Sequence, residues 1–285
     1  MHSVISVNGQ RYSPEQPAIS PLDRGITLGD GIFETMRMES GAVWYLDRHL
    51  ARLERAARHM GIPYPSHIRE WIAEILTDSE IKTASLAALR ITMTRGIART
   101  HGLAANIDTP TTIITATPLP PFPEATYTTG LTLIVASARL NERAYTAGFK
   151  ATSYTEPILA VREAHDAGYD DALFLNTQGF VAEASASNVF AWLGDTLITP
   201  SLDCGILPGI TRNIILELSA GEHIPTEERP ITLDELTRAT EVFCTSSIRE
   251  IAPVITIGDK QIGTGAPGPQ TRALMARYAA QSQRV

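Results

Sequence analysis

Three lysines stand among the 24 lysine and arginine side chains of this 285-residue chain: Lys82, Lys150 and Lys260. Lys82 falls in the polar run Thr77-Asp78-Ser79-Glu80-Ile81-Lys82-Thr83, and Lys260 in the turn Gly258-Asp259-Lys260-Gln261; both settings suit a solvated surface amine. Lys150 differs, because Ala147-Gly148-Phe149 precedes it and Ala151-Thr152-Ser153-Tyr154 follows. An amine drawn partly out of water gives up its proton more readily and becomes a nucleophile or Schiff-base former. The same setting also suits a lysine whose stem lies on apolar surface while its ammonium reaches water.

Two further stretches could serve such an amine. Glu183, in Val181-Ala182-Glu183-Ala184-Ser185-Ala186-Ser187-Asn188, is a carboxylate at a strand end followed by small hydroxyl residues. It can hold a protonated ring nitrogen, or lie on the surface of a short strand. Gly205-Ile206-Leu207-Pro208-Gly209-Ile210-Thr211 is a loop that runs directly into a helix. The N–H groups at a helix start, aided by the helix dipole, bind phosphate, and Thr211 adds a hydroxyl. The loop has neither the P-loop nor the dinucleotide glycine spacing, and an ordinary strand-to-helix connection is the competing explanation. Ser246-Ser247 offers more hydroxyl donors, or simply a turn. A Schiff-base lysine, an anion for a pyridinium nitrogen and a phosphate cradle are together what a pyridoxal phosphate site requires.

Elements must position these groups. At 44% hydrophobic and 19% charged, the chain can bury a sizeable core. A net charge of −7 disfavours a general nucleic-acid partner. No apolar run is long enough to span a membrane, and no secretory signal is visible at the N-terminus. Cys204 and Cys244 are the only cysteines, which makes two reduced thiols in the cytoplasm the expectation. The seven histidines are scattered, with no metal-ligand spacing.

Val4–Val7 reads as a strand turned by Asn8-Gly9. Pro21-Leu22-Asp23-Arg24-Gly25 reads as a loop, Gly31 to Arg37 as a strand, and Val43-Trp44-Tyr45-Leu46 as its returning partner. Asp47 then caps a helix carried by Leu50, Leu53, Ala57 and Met60 and stopped by Gly61. Four prolines in the six residues Pro118 to Pro123 mark a domain boundary. Residues 1–120 are expected to form one domain and 121–285 a second, larger one. A helix is expected to follow Lys150 from about Pro157 to Ala167, and another to close the chain.

The order of these parts resembles the class IV, fold type IV, pyridoxal-phosphate aminotransferases. The resemblance is carried by Asp23-Arg24-Gly25, Gly29-Asp30-Gly31-Ile32-Phe33-Glu34-Thr35, His49-Leu50-Ala51-Arg52-Leu53, Lys150, and Gly168-Tyr169-Asp170-Asp171-Ala172-Leu173. It continues through Val181-Ala182-Glu183, Ser187-Asn188-Val189-Phe190 and Leu207-Pro208-Gly209-Ile210-Thr211-Arg212. It implies a mixed α-β (α+β) fold of two domains: a small N-terminal α/β domain and a larger C-terminal β-barrel-like domain with helices that binds pyridoxal 5′-phosphate. It also implies that Lys150 forms the Schiff base and shuttles the substrate proton. Glu183 would pair with the pyridine N–H. Arg52 would grip the phosphate by its guanidinium fork, and Ile210, Thr211, Ser246 and Ser247 would complete the cup. Phe33 and Ile248 would sit by the substrate. A homodimer is implied, each site lined by the partner's loop.

Within the family the discriminating stretch is Thr94-Arg95-Gly96-Ile97-Ala98-Arg99-Thr100-His101-Gly102. Arg99 and His101 look like the Arg-x-His pair by which D-amino-acid transaminases trap a substrate carboxylate, and Arg95 competes for that role. The expected activity is amino transfer between a D-amino acid and a 2-oxo acid. Aminodeoxychorismate lyase, which eliminates pyruvate, is the main alternative. Branched-chain L-amino acid and (R)-amine transaminases are further ones. Branched-chain enzymes usually show Phe-Glu-Gly where this chain has Phe33-Glu34-Thr35, and their arginine-proline strand motif is missing from Leu89-Arg90-Ile91-Thr92-Met93.

Overall fold

A computed structural model describes residues 3–16, 18–98, 102–104, 107 and 109–282. The chain divides into two compact units. The first comprises 1–121 and 149–153, the second 122–148 and 154–285. Beside residues 1–120, the first unit takes in residue 121 and the segment 149–153, which carries Lys150.

The first unit is built on six antiparallel strands: β1 (Val4–Val7), β2 (Gln10–Tyr12), β3 (Gly31–Glu39), β4 (Ala42–Val43), β5 (Ala87–Thr94) and β6 (Thr111–Pro118). Their order is β2-β1-β6-β5-β3-β4. Side chains alternate between the faces of a strand. Ile32, Met36 and Met38 of β3 and Leu89, Ile91 and Met93 of β5 thus share one face, which is buried. Helix α2 (Leu46–Met60) covers that face with Leu50, Leu53 and Ala57, assisted by α3 (Ile68–Ile75) and α4 (Ser79–Thr83).

Three local expectations are corrected here. The stretch read as a loop at Pro21–Gly25 enters a short helix, α1 (Arg24–Leu28), capped by Asp23, whose Oδ1 accepts from Gly25 N at 2.8 Å. The returning strand stops at Val43. Tyr45 adopts a left-handed conformation (φ 54°) and Leu46 already starts α2, so Asp47 lies in the first turn rather than at the cap. Its charge still favours the helix start through the dipole.

The second unit holds α5 (Ala125–Thr128), β7 (Leu131–Leu140), α6 (Thr155–Asp166), β8 (Asp171–Asn176), β9 (Val181–Ala184), β10 (Asn188–Leu193) and β11 (Thr196–Thr199). It continues with α7 (Ile210–Gly221), β12 (Thr226–Glu228), α8 (Leu233–Thr237), β13 (Glu241–Ser246), β14 (Glu250–Ile257), β15 (Lys260–Gln261) and α9 (Pro269–Ser282). The run β10-β13-β14-β7-β8-β9 returns to β10 through the pair Glu183–Asn188, which closes six strands into a barrel. Beyond β10 the sheet continues through β11 to β12, which is its edge. The barrel interior is apolar, with Leu133, Leu173, Val189, Val242 and Val254. Among the described residues no helix is long and apolar enough to cross a membrane.

Candidate active site

Lys150 is fixed by backbone pairing in the first unit. The segment 149–153 lies antiparallel to the start of β3: Phe33 N donates to Lys150 O at 2.8 Å, and Thr152 N to Gly31 O at 2.8 Å. Gly31 is needed there, since a Cβ would lie 2.7 Å from Met93 O. Thr152 Oγ1 donates to Gly29 O at 2.7 Å, and Phe149 stacks on His59 with centroids 4.2 Å apart. The half-buried Lys150 places its Nζ 4.4 Å from the centroid of the Phe33 ring, and the Arg90 guanidinium is 3.9 Å from the same ring. Phe33, expected beside the substrate, is thus the surface on which the lysine amine rests.

The opposite, core face of β3 carries Glu34 among its methionines. Arg52 Nε donates to Glu34 Oε1 at 2.7 Å and Arg52 Nη2 to Glu34 Oε2 at 2.7 Å. His49 Nδ1 lies 2.7 Å from Oε2. All three side chains are buried. Burial alone would raise the Glu34 carboxyl, but the Arg52 charge and the hydrogen bonds from Arg52 and His49 bring it down to about 2. Burial lowers His49, with the charges of Arg52 and Lys150 acting the same way against the pull of Glu34. The ring is therefore neutral at pH 7, and the nitrogen facing the ionised Glu34 is the N–H. The Nε–Nη2 edge of Arg52, one edge of the fork expected to grip a phosphate, is paired with Glu34. Glu34 and His49 were visible in the matching stretches, but the sequence gives no sign of their pairing.

Arg95 is committed elsewhere. Its Nε and Nη2 donate to Asp30 at 2.8 and 3.1 Å, and its remaining bonds go to the carbonyls of Met60 and Gly61 at the end of α2. Arg24 donates to the same Asp30 at 2.8 Å and reaches Gly102 O and Leu103 O at 3.0 and 3.1 Å. Those bonds and charges outweigh the partial burial of Asp30, which on its own would raise its carboxyl, and the net effect is a lowered pKa. Arg99 and His101 lie outside the described residues.

In the second unit, Glu183 Oε2 accepts from Leu207 N and from Asn188 Nδ2, each at 3.1 Å. The same Nδ2 donates to Leu207 O at 2.8 Å. One asparagine thereby ties the strand that bears Glu183 to the loop before α7. Gly209 sits between them, where a Cβ would lie 2.0 Å from Asn188 Oδ1. Helix α7 then starts at Ile210 and Thr211, both buried, and among the described residues no side chain caps it. Thr245, paired in register with Asn188, has a buried hydroxyl with no hydrogen-bond partner among the described residues. Ser246 Oγ accepts from Arg249 N at 3.2 Å and so serves the turn 247–249 that carries Ser247 and Ile248. A groove of about 620 Å³ along α6, lined in part by Ser137, Glu156, Leu159 and Glu163, contains none of the predicted residues.

The donor chemistry suits pyridoxal phosphate. An uncapped helix start and an orphaned buried hydroxyl suit a phosphate, a carboxylate fixed by two donors suits a ring N–H, and a backbone-pinned lysine suits an aldehyde. The family described as amino-transferase class IV matches residues 31–257. The chain is 31% identical to a D-alanine aminotransferase of Bacillus licheniformis, over 94% of this chain and 93% of that one. It is 32% identical to an aminodeoxychorismate lyase of Bacillus subtilis, over 96% and 93%. The crystal structure of a branched-chain aminotransferase from Thermoproteus uzoniensis with norvaline superposes with a TM-score of 0.85 at 27% identity, covering 97% of this chain and 93% of that one. The barrel and the antiparallel α+β unit are those of fold type IV. The chain belongs to the class IV aminotransferases, and the enzymes of this family use pyridoxal 5′-phosphate.

Proposed function

We propose that this aminotransferase moves an amino group between a D-amino acid and a 2-oxo acid. The observation that carries the reading is the commitment of Arg95 to Asp30 and to the end of α2. That engagement of the competitor Arg95 supports giving the substrate carboxylate to Arg99 with His101. An arginine suits it, being always charged and able to bind two oxygens at once. The match to the D-alanine aminotransferase adds support.

Bound pyridoxal phosphate supplies an electron sink that makes the substrate Cα–H acidic. Lys150 would hold the cofactor through its amine and, once released by the incoming substrate amine, would carry the proton between the substrate Cα and C4′ of the cofactor. Glu183 would accept the ring N–H and keep that nitrogen protonated. The N–H groups of Ile210 and Thr211, the hydroxyls of Ser246 and Ser247, and Arg52 would hold the phosphate. Phe33 and Ile248 bound the substrate side. The apolar side chains exposed on and around α1, namely Leu22, Ile26 and Leu28 with Ile97 and Leu103, support a homodimer that buries them. Two buried free cysteines are in keeping with a cytoplasmic location.

The test is a product assay. Supplied with D-alanine and 2-oxoglutarate, the enzyme should form pyruvate and glutamate in equal amounts. Pyruvate from aminodeoxychorismate, with no amino acceptor present and no turnover of D-alanine, would replace this reading with the lyase activity that the Bacillus subtilis relative carries.

A further inference from the structure

We propose that Glu34 is a positioning residue for cofactor binding, aiming the Arg52 guanidinium at the phosphate with His49 as its second support. The inference rests on the phosphate role given to Arg52 above. His49 and Arg52 are three residues apart on α2, so both lie on one helix face. That face packs on β3 where the strand presents Glu34 between Ile32 and Met36. A carboxylate there, 1% exposed, is costly unless fully satisfied. Three donors meet it, two of them from one guanidinium in a fork of 2.7 and 2.7 Å.

A guanidinium is planar, so a bidentate bond along its Nε–Nη2 edge fixes the plane and turns the Nη1 edge away from Glu34. A phosphate held by Arg52 would therefore meet a guanidinium whose plane Glu34 has already set. The neutral His49 fixes Oε2 without adding a third positive charge beside Arg52 and Lys150. A freely rotating arginine would have to be ordered on binding, at a cost in side-chain entropy. Here folding has already ordered it.

The test compares two probes on the full-length chain freed of cofactor: pyridoxal 5′-phosphate, and pyridoxal, which keeps the aldehyde and ring but has no phosphate. Dissociation constants are read from fluorescence quenching. Glu34→Gln should weaken pyridoxal phosphate by about 10- to 100-fold, the range for losing a supporting partner, and leave pyridoxal within about 2-fold. Arg52→Ala should do the same. A general loss of structure would instead weaken both probes together, and that result overturns the proposal. So does Glu34→Gln with an unchanged ratio of the two affinities while Arg52→Ala shifts it. If Arg52→Ala itself leaves the ratio unchanged, the phosphate role of Arg52 falls and the inference falls with it. Because removing one partner of a buried ion pair can prevent folding, His49→Gln, which keeps the Glu34–Arg52 fork, provides a second arm. It should shift the same ratio in the same direction by less, and no shift overturns the proposal.

Discussion

Acid should unfold this protein partly through Glu34, and the size of the effect follows from its surroundings. The carboxyl titrates at about 2 in the folded chain against an ordinary 4.5, because Arg52 and His49 outweigh the cost of burial. A depressed folded pKa gives stability that is complete above the unfolded value and lost as pH falls through the folded one. The window is therefore pH 4.5 down to about 2, and the gap is worth about 3 kcal/mol at roughly 1.4 kcal/mol per pH unit. His49 acts in the same direction but starts earlier, since its lowered pKa costs stability once pH drops below the ordinary 6.5. The assay is urea unfolding at a series of pH values, followed by the fluorescence of Trp44 and Trp71, which lie in the first unit. Wild type should lose about 3 kcal/mol more than Glu34→Gln between pH 4.5 and 2, although the variant starts lower at pH 7. Contributions from Asp30 and other carboxylates cancel in that difference. If the two curves fall in parallel below pH 4.5, the electrostatic account of Glu34 is refuted.

Other perturbations reach the remaining parts. Gly209→Ala puts a Cβ 2.0 Å from Asn188 Oδ1 in a buried, doubly bonded amide, so it should cost about 1–3 kcal/mol; an unchanged melting temperature would contradict this. Asp30→Asn removes the charge that Arg24 and Arg95 share, and limited proteolysis should then cut between residues 96 and 104 faster than in wild type. Equal rates would mean the clamp does not hold that segment. Lys150→Ala should abolish the covalent adduct left when borohydride is added with pyridoxal phosphate, as read by intact mass; an adduct that persists would assign the chemistry to another lysine.

Much of this was legible from local pattern. Lys150 stood out because the chain spends arginine almost everywhere else, and its neighbours announced an apolar setting. The turn at Asn8-Gly9 and the period of α2 are short-range signals, and each appears where the sequence puts it. What escaped was non-local. The pairing of Lys150 and Thr152 with the start of β3 joins residues more than a hundred positions apart, and no local propensity announces it. Helix α1 has five residues and no apolar period, and rests instead on the Asp23 cap and on the burial of Arg24. Barrel closure depends on one pair, Glu183 with Asn188. Arg52 shows the limit most clearly: its residue type and setting pointed to phosphate, while its partner Glu34 is 18 residues away on another element.

The most direct test is the visible spectrum of the purified holoenzyme, before and after addition of D-alanine and, separately, L-leucine. The account expects the visible band of the bound cofactor to be lost with D-alanine and kept with L-leucine. Loss with L-leucine alone would contradict the D-amino acid reading and leave Arg99 and His101 without their role.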